Sequence, residues 1–224
     1  ALVARLRAEC PWDAEQTHRT LTRHLLEETH EVLEALEGVG DGGPEVDPEA
    51  YAHLEEELGD LLFQIVFHTT LATESGAFGL ADVARGIREK LVHRHPHVFG
   101  DRDAGNSDDM VATWEQIKKE EKGRGSVFDG IPASLPALHL ASKIHRKAAT
   151  VGVPVTGDLH RAGMDLTAAA CDAENDPNDT TVGDLLMAAV ALARAGNVDP
   201  EAALRTAAKR LADRGRAAEA ETTN

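Results

Sequence analysis

The sequence predicts an all-α protein, and three observations carry that expectation. Aromatic residues make up only 4% of the 224 residues while Ala, Glu and Leu abound, a composition that favours helix over sheet. Apolar residues recur at helical spacing along the chain, and no stretch reads as a strand. The periodic stretches end at recognisable stops: Gly38, Ser75-Gly76 and the residue before Pro96.

The elements follow in order. A long helix is expected over about residues 17–37, ended by the loop Gly38-Val-Gly-Asp-Gly-Gly-Pro44. Asp47 is placed to cap the next helix, with Pro48 at its first position, and the pattern continues to Glu74. A third helix is expected over about 80–94, and a fourth over 108–122 with Ser107 as its cap. Gly123-Arg-Gly-Ser126 and Asp129-Gly-Ile-Pro132 read as a linker. Four further helices are expected near 136–149, 158–174, 180–195 and 199–214. The organisation is therefore a first helical domain over 1–122, a linker over 123–135, a second helical region over 136–216, and a tail over 217–224 that frays.

The halves look related. Leu58-Gly-Asp60-Leu-Leu62 in the first meets Val182-Gly-Asp184-Leu-Leu186 in the second. Each is followed by an apolar helix and then a basic one, with Lys90 and Arg94 in the first half and Arg210 and Arg214 in the second. Thr181 stands where the first half has Glu57, so the second copy has lost most of its acids.

The net charge of -16 repels nucleic acid and anionic membrane. A small anionic substrate would need metal ions or a local basic patch. No apolar run approaches the roughly 18 residues of a membrane span, and the start does not read as a signal peptide. Cys10 and Cys171 are far apart and suggest no disulfide framework, which suits the cytoplasm.

The chemistry-bearing signal is a set of acids. Glu27, Glu28 and Glu31 lie in a helix whose residues Leu25, Thr29, Val32 and Leu36 share a face, and Glu28 borders that face. Glu57 and Asp60, three residues apart, share a side of the second long helix. Their stripe continues through Gln64 to Phe67 and Leu71, and Leu61–Phe67 is apolar on nearly every side, so that helix is expected to be buried. Converging carboxylates repel unless a cation lies between them. Hard oxygen ligands select magnesium, manganese or calcium, and there is no Cys/His cluster for zinc. Magnesium usually works on substrate phosphates, so phosphate chemistry is expected.

Cationic and aromatic groups complete such a site. Lys90 and Arg94 lie one turn apart and can hold phosphate oxygens. Trp114 and Lys118 have the same spacing, with Trp114 able to stack on a nucleobase. His93, His95 and His97 flank Pro96 and read as a structural loop, and Gly123-Arg-Gly is too sparse for a phosphate loop.

Cys10-Pro-Trp-Asp13, Glu27-Glu28-x-x-Glu31, Glu57-Leu-Gly-Asp60, Arg94-His-Pro-His-Val98 and Trp114-Glu-Gln-Ile-Lys118 together resemble the MazG nucleoside triphosphate pyrophosphohydrolases, over about residues 8–150. The resemblance implies a helical-bundle domain of the all-α NTP pyrophosphatase superfamily, usually homodimeric, in which residues 1–122 are catalytic. It implies magnesium, with manganese as a possible substitute, on Glu28, Glu31, Glu57 and Asp60. It implies nucleotide contacts from Lys90, Arg94, Trp114 and Lys118, and cleavage of NTPs and dNTPs to a monophosphate and pyrophosphate, with nucleotide house-cleaning as the usual role. Glu27, beside the ligand face, is a candidate base or outer acceptor.

The second half resembles a degenerate second repeat of the family. Its Leu166-Thr-Ala-Ala-Ala-Cys-Asp172-Ala-Glu174 is nearly stripped of acids, so one active repeat per chain is expected. Two rival readings differ in kind. A di-iron carboxylate bundle would use Glu-x-x-His motifs, of which Glu27 and His30 supply one. A nucleotide-binding dimeric regulator would keep the acids without turnover, although unneutralised buried carboxylates destabilise a scaffold.

Overall fold

The structure is a computed structural model that describes residues 2–40, 42–43, 45–100 and 125–222. The chain divides into two compact units, residues 1–114 and 115–224. All regular structure among the described residues is helical, as the composition implied. The helix expected over 108–122, with Ser107, Trp114 and Lys118, lies outside the described residues, as do Gly123 and Arg124.

The first unit is built on a helical hairpin. Helices α1 (Leu2–Glu9) and α2 (Pro11–Glu15) precede α3 (Thr22–Val39) and α4 (Pro48–Glu74), and α5 (Leu80–Arg94) and the single turn α6 (Pro96–Phe99) follow. The sequence pattern did not reveal α1 and α2, which are too short to show periodicity; Pro11 starts α2 from an extended Cys10. Helix α3 starts later than expected. Thr17 N–H donates to Thr20 Oγ1 at 2.8 Å, and Thr20 Oγ1 donates to Gln16 Oε1 at 2.8 Å, so side chains hold residues 17–20 in a turn. It also ends later, because Gly40, with φ of 60°, closes the helix by donating its N–H to Leu36 O. Asp47 caps α4 by accepting from Glu49 N–H at 2.9 Å, with Pro48 in the first turn. Asp82 accepts from Gly79 N–H at 2.9 Å and sets the start of α5.

Helices α3 and α4 run antiparallel: His18, just before α3, meets His68, while Glu28 and Glu31 meet Glu57. The buried side chains of α3 and its entry are Leu21, Val32, Ala35 and Val39, with Leu25 and Glu28 half-buried between them. That is the alternating four-three spacing of a coiled-coil seam. Thr29 and Leu36, expected on this face, are exposed. On α4 the seam runs through Glu57, Gln64, Phe67 and Leu71. Val3 of α1 joins Leu21, Phe67 and Leu71 in the core, with Phe63 and Val66 packed against them. Leu58, Leu62 and Ile65 stay exposed. Within one chain α4 is thus buried on one face, not all round as its sequence implied.

Arg7 ties α1 to the end of α4. Its Nε and Nη2 donate to the Glu74 carboxylate at 3.0 and 2.8 Å. Its Nη1 donates to the carbonyls of Asp13, Ala14 and Gln16 at the end of α2, and its guanidinium lies 5.9 Å from the Phe67 ring centre.

The second unit contains α7 (Ala137–Thr150), α8 (Leu159–Asn175), α9 (Asp179–Ala195) and α10 (Pro200–Thr222). Side-chain caps set three starts: Asp158 accepts from Arg161 N–H, Asn178 from Thr180 and Thr181 N–H, and Asp199 from Ala202 N–H. Helix α9 packs on α7 and α8, and α10 packs on α7 and α9. The buried side chains are small, mainly Ala148, Ala162, Ala173, Val190 and Ala191. Helix α10 runs to Thr222, beyond the expected end near 214; Ala217, Ala218 and Ala220 propagate a helix well enough to carry it past Gly215. No single helix among the described residues is long and apolar enough to cross a membrane.

Candidate functional site

Midway along the hairpin the apolar seam is interrupted by acids, and Val32, Ala35 and Val39 resume it towards the loop. Position 28 continues the Leu21-Leu25 register and position 57 continues the Leu71-Phe67-Gln64 register, so two seam positions that usually hold apolar residues hold carboxylates. Glu31, one turn beyond Glu28, reaches the same point. Carboxylate oxygens of Glu28, Glu31 and Glu57 lie within 4.8 Å of one another. Glu57 is nearly buried, its side chain 12% exposed, and its carboxylate lies 3.3 Å from His53 Nδ1. Glu31 and Asp60 are exposed and Glu28 half-buried.

The electrostatics of this group are those of an unneutralised cluster. Burial pushes the Glu28 carboxyl above its usual range. A hydrogen bond with Glu31 and the charges of Glu31, Asp60 and Glu57 push it further the same way. Among the described residues, the charges that act on Glu28 are carboxylates. Asp60 therefore stands close enough to be felt by Glu28, although it is not one of the three whose oxygens converge. The donor set is all oxygen, offered by two helices at one point, and it fits a hard divalent cation. The group contains no histidine, which a di-iron centre of the Glu-x-x-His kind requires.

The other expected residues are placed as follows. Glu27 turns outward, 62% exposed, and faces His24 Nδ1 at 3.2 Å. Lys90 is exposed and Arg94 half-buried on α5, and neither is among the charges acting on Glu28. Trp114 and Lys118 lie outside the described residues. His95 is held by Leu91 O at 2.6 Å and its ring lies 5.6 Å from that of His97.

Further polar groups line the same α4 stripe, and the carboxylate motif gives no sign of them. Gln64, 4% exposed, leaves Oε1 without a hydrogen-bond partner, and so does His68 Nε2 one turn on. The other side of the His68 ring meets His18, Nδ1 to Nδ1 at 2.8 Å with the rings nearly parallel. Burial, and then the neighbouring His18, hold the His68 pKa below the usual imidazole value. The usable sequence signal was a glutamine and a histidine four residues apart inside an apolar run.

Residues 16–99, which include the acid set together with Lys90 and Arg94, match the MazG nucleotide pyrophosphohydrolase domain. The chain is 41% identical over 221 residues to the nucleoside triphosphate pyrophosphohydrolase of Escherichia coli (strain K12), spanning 94% of this chain and 80% of that protein. It is 39% identical over 215 residues to the nucleoside triphosphate pyrophosphohydrolase/pyrophosphatase MazG of Thermotoga maritima, spanning 92% and 77%. A solved mazG-related protein from Thermotoga maritima is 26% identical, with a TM-score of 0.42 over 53% of this chain and 94% of that one. The chain belongs to the MazG family.

Proposed function

We propose that this chain is a nucleoside triphosphate pyrophosphohydrolase that cleaves NTPs and dNTPs to a nucleoside monophosphate and pyrophosphate. The observation that carries the reading is the convergence of Glu28, Glu31 and Glu57 from two helices, with Asp60 alongside, in a chain whose Escherichia coli and Thermotoga maritima relatives bear that name. Glu28, Glu31, Glu57 and Asp60 would hold magnesium, or manganese in its place. Bound there, the ion supplies charge neutralisation to the phosphates.

The chain's own groups do the rest. Glu28 and Glu57, fixed in the hairpin seam, orient the acid set without reorganisation. Lys90 and Arg94 bind phosphate oxygens, Arg94 through paired donors. Trp114 stacks on the base, and Lys118 reaches the phosphates. Glu27 serves as an outer proton acceptor for the attacking water. Residues 1–122 form the catalytic domain, 123–135 the linker, 136–216 a degenerate second repeat without a working acid set, and 217–224 the tail, which carries α10 on to Thr222.

The working form is proposed to be a homodimer. Leu58, Leu62 and Ile65 on α4 and Leu80, Val83, Ile87 and Leu91 on α5 are all exposed at helical spacing, apolar faces that a second copy would cover. The free thiols of Cys10 and Cys171 suit a reducing cytoplasm, where removal of surplus or damaged nucleotides is the proposed role.

A pyrophosphate-release assay over an NTP and dNTP panel, with magnesium and with chelator, tests the reading. Magnesium-dependent release from the wild type and none from Glu57→Ala is expected. A Glu57→Ala protein that still releases pyrophosphate at the wild-type rate rules the acid set out.

A further inference from the structure

We propose that the second unit carries an anion site of its own, formed by Ser142, His145, Arg146 and Arg194, that takes a phosphate or pyrophosphate group. Ser142, His145 and Arg146 stand at i, i+3 and i+4 on α7 and so share one face of that helix. Packing of α9 on α7 brings Arg194 Nη1 to 3.3 Å from Ser142 Oγ. Two guanidinium groups, an imidazole and a hydroxyl thus gather where two helices meet.

Neither Arg146 nor Arg194 forms an ion pair with a described residue, and His145 has none either. The chain carries 39 acids against 23 lysines and arginines, so partners are plentiful. Elsewhere in the unit Arg161 pairs with Asp165, Arg205 with Glu201 and Arg216 with Asp213 along their own helices. The Ser142 hydroxyl is the hydrogen-bond partner of the half-buried Arg194. Desolvation, and then Arg146, lower the Arg194 pKa; desolvation, and then Arg194, lower that of His145. Helix C-termini favour a cation, and Arg194 stands in the last turn of α9. That accounts for one charge near one helix end. It does not account for cations from two helices facing each other with no acid among the described residues between them, an arrangement that raises the free energy of both until an anion joins them.

The chemistry of the ligand follows from the donors. Arginine forks and a hydroxyl match the oxygens of a tetrahedral phosphate, and a guanidinium binds phosphate in paired fashion. The group can be free pyrophosphate or the phosphate tail of a nucleotide. Both present the same oxygens to the site.

The test uses the full chain in chelator at constant ionic strength, so that neither turnover nor the acid cluster contributes. Inorganic pyrophosphate and, separately, a non-hydrolysable nucleoside triphosphate are titrated by calorimetry and thermal shift. Binding of at least one ligand to the wild type is expected. Arg194→Gln should weaken it about tenfold or more, and Arg146→Gln by a smaller factor. A ligand preference for pyrophosphate assigns the free product, and one for the nucleotide assigns the tail. Arg146 is exposed, so its variant supplies the readout should Arg194→Gln not fold. The site is overturned by the absence of binding to the wild type, or by binding that both arginine variants leave unchanged.

Discussion

Replacing Glu57 with Gln should make the protein more stable without metal and inactive with it. Three carboxylates share a point with their oxygens within 4.8 Å, and Glu57 takes part in two of the three pairings. One pairing at that separation costs about 3.5 kcal/mol at an effective dielectric of about 20 and about 0.9 kcal/mol in bulk water. Glu57 is nearly buried and Glu31 exposed, so the effective value lies between those limits and salt screens part of it. The i,i+4 contact with His53 at 3.3 Å is lost, but His53 is exposed and an i,i+4 helix pair contributes only about 0.3–0.5 kcal/mol. The net expectation is a gain of about 1–3 kcal/mol, or a rise in Tm of roughly 3–8 °C for a chain of this size. Magnesium should reverse the ranking: a ligand at about 100 times its Kd adds about 2.7 kcal/mol to the wild type and little to the variant. Differential scanning calorimetry in chelator and in magnesium, beside pyrophosphate release, measures all three quantities. A Glu57→Gln protein no more stable than wild type in chelator, yet equally stabilised by magnesium, refutes the reasoning.

Other perturbations have equally definite outcomes. Arg7→Ala removes the bonds to Glu74 and to three carbonyls and should destabilise the first unit by about 2–4 kcal/mol; an unmoved urea midpoint contradicts the clamp. His68 is held below the ordinary imidazole value of 6.5, so the unfolded chain protonates first. Its contribution to stability is full above about pH 6.5 and falls as pH drops below that value, levelling off beneath the folded pKa. His68→Asn should flatten that part of the stability profile between about pH 8 and 5.5, and an identical slope in both proteins counts against it. Leu62→Glu places a charge in the exposed apolar face of α4 and should convert a dimer to a monomer by light scattering; a wild type that is itself monomeric ends the dimer proposal.

The parts of the fold that were legible are those fixed by local chemistry. Asp47 with Pro48 sets a helix start where side chain and backbone satisfy each other within one turn. The seam face of α3 was misjudged by a fraction of a turn. A lone helix repeats every 3.6 residues, but packing against a partner selects the 3.5-residue register that buries Ala35 and leaves Leu36 out. Glu28 and Glu57 could be read because they fall in that register. Asp60's exposure could not, since the half-buried Leu61 takes the seam position between Glu57 and Gln64. The His18–His68 contact and the Arg7 clamp join residues 50 and 67 positions apart, beyond the reach of any local pattern. The exposed face of α4 was misread for a related reason: apolarity says that a surface seeks cover, not whether the same chain supplies it.

The Arg7 clamp also constrains how this sequence can drift. Positions 7 and 74 belong to one device, with the loop after α2 as its third member. A descendant that loses the acid at 74 keeps a guanidinium whose three carbonyl acceptors carry no full charge, and selection there should favour a compensating change near the amino end over reversion alone. Anyone trimming the first dozen residues to tidy an expression vector would be cutting the keystone of an arch whose other foot stands at the far end of α4.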